Sequence, residues 1–137
     1  MDFELTPEQK RLQERSLALA ADFLTRASAH DREASHPLEN SQRLREEGYY
    51  ELSVPTEWGG AGAGFLTHTL AFEALGQGCP STALAFNMHA SMVGPLLESD
   101  EVTAAAKRHL ADLVIGQQKL IARNFSAATH TSLLGER

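Results

Sequence analysis

An all-α bundle of about five helices, followed by one short C-terminal strand, is what this sequence of 137 residues predicts. Apolar residues recur at helical spacing over most of the length. Capping residues, glycines and prolines fall between the periodic stretches, where helices start and stop. Partial alternation of apolar and polar residues is confined to Lys119–Phe125.

The first helix begins at Thr6-Pro7-Glu8-Gln9. Thr6 can cap, Pro7 suits the first helical position, and Gln9 completes a capping box. Leu12, Ser16, Leu19, Ala20, Phe23 and Ala27 define its inward face, and fraying is expected around Ala29 to Asp31. His36-Pro37 interrupts the pattern. A short helix near Leu38 to Glu47 follows, with Gly48 as its stop. Tyr49 to Pro55 is expected as an extended connector against the core. Thr56 to Gly64 holds four glycines, which allow tight turns and close backbone approach. A third helix is expected from Phe65 to Leu75, with Leu66, Leu70 and Phe72 inward. The fourth starts near Ser81, is apolar nearly all round until Glu98, and should be central, with Pro95 kinking or ending it. Ser99 or Asp100 can cap a fifth helix from Glu101 to about Ile115, stopped by Gly116. Lys119–Phe125 reads as a strand with no partner in the chain, so a segment missing after residue 137, or another chain, is expected to supply the pairing.

Composition narrows the function classes. The chain is 42% hydrophobic and 22% charged, near the globular average. A chain of this length buries roughly 68% of its unfolded surface, enough for one core without staples. Its single cysteine, Cys79, excludes an intrachain disulfide framework and fits a reducing compartment. Twelve basic against eighteen acidic residues give a net charge of −6 with no basic patch, which argues against nucleic acid. No apolar run reaches the length of a membrane span, and Met1-Asp2-Phe3-Glu4 lacks a signal core. The reading is a cytoplasmic chain without a membrane partner.

Local motifs leave the chemistry open. Gly60, Gly62 and Gly64 do not make a dinucleotide fingerprint and no Gly-Lys-Ser/Thr follows, so a tight connector is the simpler reading of that loop. The six histidines are scattered, with no pair at helical spacing, and no metal site is expected. His89 sits inside the fourth helix between Met88 and Met92. Its alternatives are a core histidine bonded to a backbone carbonyl and a ligand contact. Met88 and Met92, four apart, suit either core packing or a flexible apolar ligand surface. Cys79 has no activating neighbour in sequence, and the hydroxyls of Ser126, Thr129, Thr131 and Ser132 show no spacing that pairs a nucleophile with a base.

The order of segments carries more. Phe3-Glu4-Leu5-Thr6-Pro7-Glu8-Gln9 resembles the opening of the acyl-CoA dehydrogenase family. So does Leu44-Arg45-Glu46-Glu47-Gly48-Tyr49-Tyr50-Glu51-Leu52-Ser53-Val54-Pro55, followed by Thr56-Glu57-Trp58-Gly59-Gly60-Ala61-Gly62, with Thr56 in place of an acid. A helix with Glu73, then Ser81 to Ala85 with His89, then a helix ending at Gly116 follow in the family's order. The resemblance implies a helical N-terminal domain over residues 1–118 and the truncated start of a β middle domain over 119–137. It implies an FAD-dependent oxidoreductase that acts on an acyl-CoA thioester, usually as a homo-oligomer, with an electron-transfer flavoprotein as acceptor.

The resemblance also distributes the roles. Leu84, Met88, His89 and Met92 on the fourth helix would wall the acyl pocket. Ser126 and Ser132 match hydroxyls of a flavin-touching stretch, although the acids, proline and glycine of that stretch are missing here. Glu57, Glu73, Glu98 and Glu101 match no catalytic-base position. The base and most of the FAD site belong to the family's later domains, so no catalytic residue is assigned and the chain alone is expected to be inactive. Two alternatives stand beside this reading: part of a flavin-dependent monooxygenase of the same fold, and a non-catalytic helical interaction module.

Overall fold

The computed structural model describes residues 4–122, and these are all-α. Helix α1 runs Pro7–Glu33, α2 Leu38–Glu46, α3 Phe65–Gly76, α4 Pro80–Glu98 and α5 Ala104–Ala111. Two single turns of 3-10 helix, Tyr49–Glu51 and Thr56–Trp58, lie between α2 and α3, and a π turn, Asp112–Gly116, extends α5. α1 packs on α3, and α3 on α4.

The capping box forms as the sequence reads it. Thr6 Oγ1 accepts from the Gln9 amide at 3.2 Å, and Gln9 Oε1 accepts from the Thr6 amide at 2.9 Å. Leu12, Ser16, Leu19, Ala20 and Phe23 are the buried face of α1. The helix outlasts the expected fraying and ends at Glu33, where Ala34 takes the left-handed conformation at the cap. Gly48, with φ of 74°, turns the chain out of α2.

The expected extended connector after Gly48 is instead a 3-10 turn that buries Tyr49 and Tyr50. It pairs with the glycine loop. The amides of Gly60, Ala61, Gly62 and Ala63 donate to the carbonyls of Pro55, Glu51, Val54 and Leu52. A Cβ on Gly60 would stand 2.1 Å from the Val54 carbonyl oxygen, so only glycine permits that approach.

The main core gathers Leu12, Leu19, Phe23, Leu44, Tyr49, Tyr50, Leu52, Ala71, Leu75, Cys79, Ala83, Phe86 and Ala90. A second cluster, Val54, Val93, Leu97, Ala111 and Val114, closes the end under α5.

Further expectations are corrected. Leu66 is exposed, because His68, Leu70, Ala71, Ala74 and Leu75 set the inward face of α3. α4 continues through Pro95 to Glu98: so near the end, the missing N–H weakens only the last turn. Thr103, not Ser99 or Asp100, caps α5, accepting from the Ala106 amide at 3.3 Å, while Ser99 Oγ accepts from the Glu101 amide in the preceding turn. Lys119 to Ala122 carry no regular secondary structure, and the rest of the expected strand lies outside the described residues.

Candidate functional site

α4 has two unlike faces. Thr82, Ala83, Phe86, His89, Ala90, Val93, Gly94 and Leu97 are buried. The opposite face presents Leu84, Met88, Ser91 and Pro95 at helical spacing, all exposed, with Met92 half-buried beside them. Leu84 is 55% exposed and Met88 44%. The helix is thus apolar nearly all round, but one apolar stripe is left uncovered. Phe65 and Leu66, at the start of α3, are also exposed, at 79% and 57%.

Of the four residues assigned to a pocket wall, Leu84, Met88 and Met92 lie on this side. His89 does not. Its ring is 1% exposed and turned into the core. Nε2 donates to the Tyr50 carbonyl at 2.8 Å, and Nδ1 accepts from the Ile121 amide at 2.9 Å. A carbonyl only accepts and an amide N–H only donates, so the pair fixes the neutral Nε2–H tautomer. Burial holds its pKa below the ordinary value, and the positive Arg45 adds to this against the opposing bond to Tyr50. With both nitrogens satisfied inside, His89 braces the fold and offers no atom to a ligand on the stripe. Ser126 and Ser132 lie outside the described residues.

A small cavity of about 140 Å³ opens between α3 and α4, lined in part by Ser53, Phe65, His68, Ala90, Ser91 and Glu98. Sequence reasoning passed over His68. Its imidazole stands T-shaped to Phe86 with ring centroids 5.3 Å apart, and Nε2 is buried without a hydrogen-bond partner. Burial lowers its pKa. A histidine four residues into a helix of mixed polarity gives no sequence signal of burial.

A wider groove of about 750 Å³ runs between the start of α1 and the glycine loop, lined in part by Gln9, Arg11, Arg15, Ala61, Gly64 and Thr67. It is no phosphate cradle, since the amides of residues 60–63 are bonded within the loop. Nor does the α4 stripe fit the diphosphate of a flavin dinucleotide: between Leu84 and Pro95 it offers the Ser91 hydroxyl and no cation.

Cys79 is buried and belongs to a polar chain through the core. Asn40 Oδ1 accepts from Arg26 Nε at 2.6 Å, Asn40 Nδ2 donates to Thr82 Oγ1 at 2.9 Å, and Thr82 Oγ1 donates to Cys79 Sγ at 3.1 Å. Burial pushes the thiol up, but the hydrogen bonds from Ser81 and Thr82 outweigh it and hold the thiol below its ordinary value. Among the described residues no cluster of three or more His, Cys, Asp or Glu is placed to hold a metal, and no helix is long and apolar enough to cross a membrane.

Residues 6–117 match the family model described as acyl-CoA dehydrogenase, N-terminal domain. The chain is 26% identical over 119 residues to the short-chain specific acyl-CoA dehydrogenase of Clostridium acetobutylicum, covering 86% of this chain and 31% of that protein. It is 33% identical over 90 residues to the acryloyl-CoA reductase (NADH) of Anaerotignum propionicum, covering 65% of this chain and 23% of the relative. It is 28% identical over 119 residues to a 3-sulfinopropanoyl-CoA desulfinase of Paraburkholderia xenovorans, covering 85% and 30%. The chain therefore spans no more than about a third of the length of these relatives. The match takes in all five helices and the loop that joins the Tyr49 turn to α3, and the chain belongs to the acyl-CoA dehydrogenase family, whose N-terminal helical domain it carries.

Proposed function

We propose that this chain is the helical wall of an acyl-CoA site in an FAD-dependent, acyl-CoA dehydrogenase-like oxidoreductase, with Leu84, Met88 and Met92 of α4 laid along the acyl chain. The observation that carries this is the uncovered apolar stripe on a helix whose other face is core. Methionine beside leucine gives a surface that adapts to a flexible aliphatic chain. Between Leu84 and Pro95 the stripe holds no carboxylate and no cation, so that stretch binds and excludes water but moves no proton. FAD supplies the redox chemistry in this reading and is held by other parts of the protein, as is the catalytic base. A cytoplasmic setting, an oligomeric assembly and an electron-transfer flavoprotein as acceptor belong to the same reading.

The named relatives include a dehydrogenase, a reductase and a desulfinase, each named for a CoA thioester or an acyl-CoA. What they have in common supports the thioester as ligand and leaves the reaction to residues beyond the stripe.

Covering the exposed parts of Leu84 and Met88 is worth about 2–3 kcal/mol. The chain alone should then bind octanoyl-CoA weakly, with Kd on the order of 10 mM. Calorimetric titration tests this. Octanoyl-CoA should bind more tightly than free CoA, and Met88→Asp should remove the difference. Equal heats for octanoyl-CoA and CoA, or an unchanged difference in Met88→Asp, would overturn the assignment. With FAD, butanoyl-CoA and a dye acceptor added, the chain alone should show no turnover.

A further inference from the structure

The segment that leaves the π turn is tied back to the bundle by side chains from two other helices. Arg45 on α2 donates Nη1 to the Gln118 carbonyl at 2.5 Å. His89 on α4 accepts from the Ile121 amide at 2.9 Å. Tyr50 joins the two: the Arg45 guanidinium lies 5.5 Å from its ring centroid, and His89 stands T-shaped to the same ring at 5.3 Å. Ile121 is half-buried against the second apolar cluster. The segment, residues 117–122, is thereby laid on the bundle without any ladder of backbone bonds to a neighbouring strand among the described residues.

We propose that Arg45 and His89 form a clasp that fixes the path of residues 117–122 out of the bundle, and that a second proton on His89 opens it. Only the neutral ring can serve both partners. Protonated at Nδ1, the imidazole would set one N–H against the Ile121 N–H in a site closed to water, so the bond is lost and the two donors repel. The groups that act on the ring are Arg45 from α2, His68 from α3 and, through its carbonyl, Tyr50 from the turn after α2. No carboxylate is among them to stabilise the cation, and Lys119 on the segment itself is exposed. Burial and the positive Arg45 together keep the ring neutral at neutral pH. The device is independent of the acyl-CoA reading, since the ring faces away from the α4 stripe.

Amide hydrogen exchange on the full chain tests it. Below about pH 6.5, the ordinary histidine value from which burial lowers this ring, the protection factor of the Ile121 amide should fall, by about tenfold once the ring is protonated, the loss expected for one buried hydrogen bond. The Phe86 amide, inside α4, should lose less protection than Ile121, because it follows only the stability of the whole fold. In His89→Gln, whose side chain can donate and accept without titrating, the pH dependence at Ile121 should vanish. In Arg45→Met, at the half-exposed end of the clasp, Ile121 should exchange several-fold faster already at about pH 7.5. Protection at Ile121 that is independent of pH, a fall no larger than that at Phe86, or the same fall in His89→Gln would each overturn the clasp.

Discussion

The hydroxyls of Ser16 and Tyr49 meet 2.8 Å apart in the interior, joining α1 to the turn after α2. Ser16 Oγ also donates to the Leu12 carbonyl at 2.8 Å, so the Tyr49 hydroxyl is left to donate to Ser16. Neither residue is open to water. Ser16→Ala strands the Tyr49 hydroxyl and should cost about 1–3 kcal/mol. Tyr49→Phe leaves Ser16 with its carbonyl partner and should cost less. Denaturant unfolding of both single variants and the double variant checks this, with the double less destabilised than the sum.

Gly78 admits no side chain. A Cβ there would stand 2.0 Å from the Ala20 carbonyl oxygen, where the corner between α3 and α4 crosses α1. Gly78→Ala must push α1 off that corner and should cost about 3 kcal/mol. Gly64 is the contrast: nothing lies within 4 Å of a Cβ built on it, and it caps α3 without a side-chain bond. Gly64→Ser should be neutral or stabilise by about 0.5 kcal/mol. Thermal unfolding of the two variants separates them by sign.

Acid should weaken the fold through two histidines. Burial lowers the pKa of both His68 and His89 in the folded chain. The unfolded chain holds them near about 6.5 and therefore takes up protons first as pH falls. Their contribution to stability is complete above about 6.5 and drains as pH falls towards the lower folded values. The melting temperature should hold above about pH 6.5 and drop below it. His68→Phe should flatten part of that drop, and should cost little at neutral pH because it removes a buried nitrogen with no partner. An unchanged pH profile in His68→Phe would contradict this.

Charge on the stripe should leave the fold intact. Met88 is half in solvent, so Met88→Lys should change stability by no more than about 0.5 kcal/mol. The matching change at a buried position of the same helix, Val93→Lys, should unfold the chain. Circular dichroism melts of the pair check that the two faces of α4 are as different in solution as in the structure.

Much of the fold was legible because its signals are local. The Thr6–Gln9 box, the α1 stripe from Leu12 to Phe23 and the stop at Gly48 need only neighbours in sequence. What stayed hidden depends on distant partners. His89 could be read as a core histidine bonded to a backbone carbonyl or as part of a pocket wall, and the partners that decide it, Tyr50 and Ile121, lie 39 and 32 residues away. Residues from Lys119 on alternate like a strand, yet side chains from α2 and α4 hold this segment at Gln118 and Ile121. Leu66 has the apolarity of a core residue, but the turn of α3 places it outward. The uncovered face of α4 could not be read from a helix apolar all round, because hydropathy does not say which side has a neighbour.

The central claim is that the acyl chain of a CoA thioester lies on the outer face of α4. Methyl-labelled NMR spectra of the chain titrated with octanoyl-CoA test it most directly. The account predicts shifts at the methyls of Leu84, Met88 and Met92 that free CoA does not produce, with Leu19 and Leu44 in the core unmoved. Shifts confined to residues along the groove by Arg11 and Thr67, or none that depend on the acyl chain, would contradict it.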